Sequence, residues 1–179
     1  MRSRSIAVFV IITMLSLAAL AVLPGTASAD DWEISMTGGF TGDFQPAQPR
    51  AGAAAVYNTG SGDQLYVGTK NRSTGCRVYR YDGGGWSRVN DDGFGNPMNT
   101  EVTSMVVYNG RLYAGTRNEV TGCEVWRYGG GDWTRIGFLG GFGDRNNVEA
   151  SSLATYGGNL YAGTENDTSQ RGNGCEVWR

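Results

Sequence analysis

The chain has 179 residues, which is enough for one ordinary domain, and its 29 glycines favour an all-β fold with many tight turns over long helices. Histidine is absent, which excludes Ser-His-Asp and Cys-His catalysis and histidine-bound zinc. The formal net charge is −2 and the basic residues are scattered between acids, so no nucleic-acid partner is predicted.

The first 29 residues have the composition of a secretory signal peptide. A basic head is followed by an apolar run over residues 6–23 and then by small residues. Cleavage is predicted between Ala29 and Asp30. The alternative is an uncleaved membrane anchor, because the apolar run is at the short end of what spans a bilayer. The mature chain is therefore expected to be secreted or held at the cell surface, without membrane contact after cleavage.

A pentapeptide, LYVGT or LYAGT, occurs three times, starting at residues 65, 112 and 160, so the copies are 47 and 48 residues apart. Within one period, four segments rich in valine, threonine and aromatic residues are separated by glycine-containing turns: EVTSMVVY, RLYAGT, CEVWRY and DWTRIG. A repeat of this length with four strands is typical of a β-propeller blade. The sequence therefore predicts an all-β propeller of four-stranded blades.

About three blades are predicted in the chain. Trp32 opens a segment that matches the fourth strand of the repeat, so residues 30–49 are interpreted as a fourth strand and loop that complete the closing blade. Blades are predicted over residues 50–99 and 100–148, and a partial blade over residues 149–179. Closed propellers have typically four to eight blades, so three cannot form a ring alone. Three explanations stay open: a fragment of a longer chain, a homodimer that completes a ring, or an open arc.

The motifs LYAGT, GCEVWR and GFGD together resemble those of secreted bacterial and archaeal β-propeller repeat proteins. This resemblance implies the fold but no single function, because propellers serve as lectins, hydrolases and scaffolds. The stretch YDGGGW at residues 81–86 is similar to the Asp-box turn of sialidase-type propellers. The repeat is also similar to that of tachylectin-type sugar-binding propellers, which would imply one glycan pocket per blade.

Three cysteines, Cys76, Cys123 and Cys175, fall at the same position of successive repeats. A disulfide requires Cα atoms within about 7 Å, whereas equivalent points on stacked sheets are about 10 Å apart. No disulfide is therefore predicted. The cysteines are interpreted as small buried packing residues on the third strand.

The loop after each fourth strand contains oxygen-bearing side chains of the kind that Ca²⁺ prefers. The candidate ligands are Asp91, Asp92, Asp144 and Asn146. The alternative is that these residues form turns and accept hydrogen bonds from their own backbone. Calcium is the one cofactor considered; no other is predicted.

The candidate ligand-binding residues lie in the polar loops and in the third strands: Asn71, Asn118, Asn166, Trp126 and Trp178. The alternative for the tryptophans is that repeated aromatic rings fill the space between blades. No catalytic residue is predicted, since the visible residues repeat whereas an enzyme needs unique ones. The expected function is a secreted, non-enzymatic module that binds a glycan or a protein. A hydrolase of the sialidase or glycosidase class and a structural spacer are the alternatives.

Overall fold

The computed structural model describes residues 50–137, 139–166 and 174–179. Within these ranges the fold is all-β, as predicted, with eleven strands and no α-helix. No helix among the described residues is long and apolar enough to cross a membrane. The predicted signal peptide, its cleavage site at Ala29 and Asp30, and the strand predicted at Trp32 lie outside the described residues.

The strands follow one another as antiparallel neighbours in three groups, which we call the first, second and third repeats. The first repeat contains β1 (Arg50–Asn58), β2 (Asp63–Lys70), β3 (Val78–Tyr81) and β4 (Trp86–Arg88). The second contains β5 (Glu101–Tyr108), β6 (Arg111–Arg117), β7 (Val125–Tyr128) and β8 (Trp133–Ile136). The third contains β9 (Asn147–Tyr156), β10 (Asn159–Asn166) and β11 (Val177–Trp178).

The three repeats join into one open sheet through short bridges between their second and first strands. Lys70 of β2 pairs with Glu101 of β5, and Arg117 of β6 pairs with Glu149 of β9. The segments EVTSMVVY, RLYAGT, CEVWRY and DWTRIG each contain one strand of the second repeat, as the periodicity predicts. The described sheet does not close on itself.

The glycines of the first two LYxGT motifs let the next repeat approach closely. A Cβ atom on Gly68 would collide with the side chain of Val102, and one on Gly115 would come within 2.8 Å of the Ala150 Cβ atom. Val102 and Ala150 are themselves fully buried. The motif is therefore a packing surface for the following repeat, which explains its glycine in physical terms.

The cysteine prediction is correct for two residues and wrong for the third. Cys76 and Cys123 are 0% and 1% exposed, whereas Cys175 is exposed because no described repeat covers it. The third strand also begins at Val125, so Cys123 precedes the strand instead of lying on it. All three cysteines are free.

Candidate functional site

A buried asparagine connects the loops at each junction between repeats. Asn99 donates its amide hydrogens to the Gly93 carbonyl oxygen at 2.9 Å and to the Glu124 carboxylate at 2.7 Å. Its oxygen accepts from the Thr116 hydroxyl at 3.4 Å and from the Asn118 amide at 3.0 Å. Asn99 is fully buried, so these bonds replace every contact with water that its side chain gives up.

The same arrangement recurs at the second junction around Asn147. Its amide donates to the Gly141 carbonyl oxygen and to Glu176, at 3.0 and 2.6 Å. Its oxygen accepts from Thr164 at 3.0 Å and from Asn166 at 3.1 Å. The threonine of LYAGT and the glutamate of GCE therefore belong to one repeated buried network.

The three predicted binding asparagines are buried and not on the surface, and two of them, Asn118 and Asn166, belong to these networks. Asn71, Asn118 and Asn166 are 5%, 0% and 8% exposed. The Asn71 side-chain oxygen accepts from the backbone of Ser73 and Thr74 at 2.8 and 3.0 Å, and Asn118 folds its loop in the same way. Asn71 and Asn118 therefore fix the loops after β2 and β6.

The two predicted tryptophans stack on phenylalanines from the preceding repeat. The rings of Trp126 and Phe94 have centroids 5.0 Å apart and planes 13° apart, and those of Trp178 and Phe142 are 5.2 Å and 9° apart. Each indole N–H donates to the glutamate two residues earlier in the chain, just before the strand begins. The indoles are therefore held in fixed orientations. Trp178 remains 37% exposed.

A cleft of about 470 Å³ opens beside Trp126, between the outer strands of the first and second repeats. Its aromatic wall is formed by Phe94, Trp126 and Trp133. Phe94 meets Trp133 edge to face with centroids 5.1 Å apart, and the Trp133 N–H donates to the Val89 carbonyl oxygen at 2.9 Å. The wall is thus braced from both repeats and is rigid without a ligand.

The rim of the cleft is polar and mainly acidic. It contains Arg88, Asn90, Asp91 and Asp132, of which both aspartates are exposed. Arg88 pairs with Asp92 at 3.2 Å. The cleft therefore combines an apolar ring surface with exposed carboxylates and a guanidinium, within the volume range of small-molecule sites.

The four predicted calcium ligands have separate surroundings. Asp92 pairs with the buried Arg77 at 2.6 Å, and this hydrogen bond raises the pKa of the Arg77 guanidinium. Asp91 lines the cleft, whereas Asp144 belongs to the other junction and accepts a hydrogen bond from the backbone of Asn146 at 2.9 Å. Across the described parts of the chain, no group of three or more acidic or cysteine side chains is arranged to hold a metal ion.

The buried thiols are not poised as nucleophiles. Burial raises the pKa of Cys123 to about 12 and raises that of Cys76 as well. Since the thiolate is the reactive form, both residues remain protonated at neutral pH. These two cysteines therefore act in packing and not in covalent chemistry.

The sequence prediction selected Trp126 and Asp91 but missed several of the other residues that make the cleft. Phe94, Arg88 and Asp132 were not selected, although the GFG motif that contains Phe94 recurs at Phe142. That recurrence is the sequence signal from which Phe94 could have been selected. No protein-family model, curated protein or solved structure matches this chain.

Proposed function

We propose that the protein is a secreted, non-enzymatic module that binds neutral glycans in the cleft between its first and second repeats. The observation that carries the proposal is the pairing of a rigid aromatic wall with an exposed acidic rim in one cavity. Sugar rings present an apolar face of C–H groups and a periphery of hydroxyls. Aromatic rings suit the face, and carboxylates and amides suit the hydroxyls.

The rim charge favours neutral over acidic sugars. Asp91 and Asp132 contribute two exposed carboxylates, while the guanidinium of Arg88 is already paired with Asp92. Sulfated or sialylated glycans would therefore meet net repulsion at the rim. This charge pattern also disfavours the sialidase alternative, whose substrates are anionic.

A propeller architecture is also part of this proposal. We infer that each repeat is a propeller blade. Antiparallel strands recur with the same register, four in each of the first two repeats and three among the described residues of the third. Adjacent repeats also pack through equivalent tyrosine and phenylalanine contacts. A blade array supplies one cleft per junction. The chemistry of each cleft then depends on the residues of two neighbouring blades.

The test is a titration of the protein with neutral and sulfated oligosaccharides, followed by tryptophan fluorescence and by chemical-shift changes in the tryptophan indole N–H signals. We expect saturable binding of a neutral sugar, with Trp126 and Trp133 shifted. Asp132→Ala and Arg88→Ala should weaken it at least fivefold, as expected for loss of a hydrogen bond to a ligand. Asp63→Ala, at an exposed aspartate that does not line the cleft, is the matched control.

Three outcomes would overturn the proposal. One is selective binding of anionic sugars, which the acidic rim should repel. Another is release of reducing sugar at a rate that depends on Asp91 or Asp132, which would indicate a glycosidase. The third is binding that is unchanged in both cleft variants, which would show that the ligand site is elsewhere.

A further inference from the structure

The two junctions between repeats use the same contacts in the same direction. Tyr57 donates its hydroxyl to the Gly110 carbonyl oxygen of the next repeat at 2.9 Å, and Tyr108 does the same to Gly158 at 2.7 Å. Each repeat therefore has two different faces. We call the face that carries the tyrosine the forward face, and the face that receives it the rear face.

No described part of the chain covers the forward face of the third repeat. Tyr156, the counterpart of Tyr57, is 79% exposed, whereas Tyr57 is 5% exposed. Val177 is 77% exposed, whereas its counterparts Val78 and Val125 are 0% and 5% exposed. At the internal junctions a following repeat covers this apolar surface, and the fourth strand also lies beside it, since Val125 pairs with Ile136 of β8. Neither element covers Val177 among the described residues.

A charged pair spans each internal junction, with the cation on the forward face. Lys70 lies 2.6 Å from Glu101, and Arg117 lies 2.5 Å from Glu149. The strand registers identify the counterparts of these residues at the ends of the array. Glu165 occupies the cationic position on the forward face of the third repeat.

On the rear face of the first repeat the charge is reversed in the opposite sense, with a cation where the other two repeats have a glutamate. Arg50 occupies the position that is glutamate in the other two repeats, because it pairs with Lys70 as Glu101 pairs with Arg117. Arg50 and Glu165 have side chains 62% and 50% exposed. They also contact residues of their own junctions, Arg50 with Glu101 at 3.4 Å and Glu165 with Arg117 at 3.2 Å.

We propose that the forward face of the third repeat binds the rear face of the first repeat of a second copy of this chain, with Glu165 of one copy paired with Arg50 of the other. The contact continues an interface that the chain already forms twice. The reversal of charge at both ends fits this partner and no internal junction, since Glu165 would be repelled by a rear face that carries Glu101 or Glu149.

The charged pair and the apolar surface have different roles in this contact. An exposed ion pair contributes little affinity, but like charges at an interface are costly, so the pair selects the correct register. The exposed Tyr156 and Val177 provide the apolar area that drives association. This proposal does not depend on glycan binding.

The first test is sedimentation velocity of the 179-residue chain over a range of concentrations. We expect a species of twice the chain mass to accumulate as concentration rises. Val177→Asp should abolish it without lowering the melting temperature, because that side chain is exposed in a single copy. Val120→Asp, at a position 59% exposed in a loop of the second repeat, is the matched control and should leave association unchanged.

The second test reverses the charges. Glu165→Arg and Arg50→Glu should each weaken self-association about tenfold, because each places like charges at the contact. A mixture of the two variants should associate again, since both junctions between unlike copies then join opposite charges. Glu119→Arg, which also removes a partner of Arg117, controls for local effects within the chain.

Three results would overturn the proposal. These are a monomer at every concentration that stays in solution, single charge variants that associate as well as the original chain, and a mixture that associates no better than its components. Melting temperatures of all variants separate a lost contact from a lost fold.

Discussion

Phe94 of the first repeat stacks on Trp126 of the second, with ring centroids 5.0 Å apart, although the phenylalanine backbone lies in the left-handed region at a φ of 58°. Phe142 repeats both features, with a φ of 57° and a stack on Trp178. A bulky residue in this conformation costs about 1–2 kcal/mol. The recurrence of this cost at both junctions indicates that the ring contact between repeats offsets it.

Replacement of Phe94 by alanine should therefore destabilise the protein strongly. Phe94 is 8% exposed and contacts both Trp126 and Trp133, so we expect Phe94→Ala to lower the free energy of unfolding by about 3 kcal/mol. Phe142→Ala is the matched comparison and should cost less, because Phe142 is only half-buried. Urea denaturation measures both losses. An equal loss in the two variants would contradict the view that the burial of each phenylalanine determines how much it stabilises the fold.

The repeat alone was enough to predict the strands but not what their side chains contact. The periodicity located RLYAGT on a strand because alternation and glycine turns are local signals. The burial of Asn118 was not predictable in this way. Polar loop residues are usually exposed, and only the approach of Asn99 from the loop before β5 gives the Asn118 amide a buried partner.

The cleft could not be predicted from the sequence because its residues come from two different repeats. Its wall combines Phe94 from one repeat with Trp126 and Trp133 from the next. Which residues meet across the junction depends on how closely Gly68 allows Val102 to approach, and this is a tertiary distance. A sequence pattern identifies the repeated residues but not the faces that they share.

Asn99 should tolerate neither loss of its amide nor introduction of charge. Asn99→Asp keeps the side-chain shape but replaces the amide that donates to Glu124 with a second buried carboxylate. We expect a loss of at least 2 kcal/mol at neutral pH, from one lost charge-assisted hydrogen bond and from like-charge repulsion. Chemical denaturation at several pH values measures this loss.

The loss of unfolding free energy caused by Asn99→Asp should become smaller in acid. Repulsion makes the folded variant bind a proton more tightly than the unfolded chain does, so the penalty is present above the unfolded value for a carboxyl group and disappears below it. Asn96→Asp is the control, because Asn96 only accepts a hydrogen bond from the backbone of Met98 and a carboxylate also accepts one. A deficit in Asn99→Asp that does not change with pH would contradict this account.

The Asp82 carboxylate should make the stability of the fold depend on pH with the opposite sign. Backbone N–H groups of Gly84 and Gly85 donate to its carboxylate at 3.0 and 3.2 Å and lower its pKa from the usual 3.8. The stabilisation is therefore present above pH 3.8 and is lost as the pH falls through the lower folded value.

Asp82→Asn keeps an oxygen acceptor without the charge, so its melting temperature should lie below that of the original chain at neutral pH. The two should converge in acid. Asp63→Asn is the control, since the Asp63 carboxylate accepts from the exposed amide of Asn58. Equal melting temperatures at neutral pH would exclude the charged turn as a stabilising feature.

The three cysteines should react with thiol reagents at different rates. Cys175 is exposed, whereas Cys76 and Cys123 are fully buried and have pKa values raised by that burial. In dilute native protein we expect one thiol to react rapidly with an aromatic disulfide reagent, and all three to react in urea. Cys175→Ser should remove the rapid phase. Two rapid thiols in the native chain would mean that a junction between repeats opens, and slower labelling of Cys175 at high protein concentration would agree with a second copy covering the forward face.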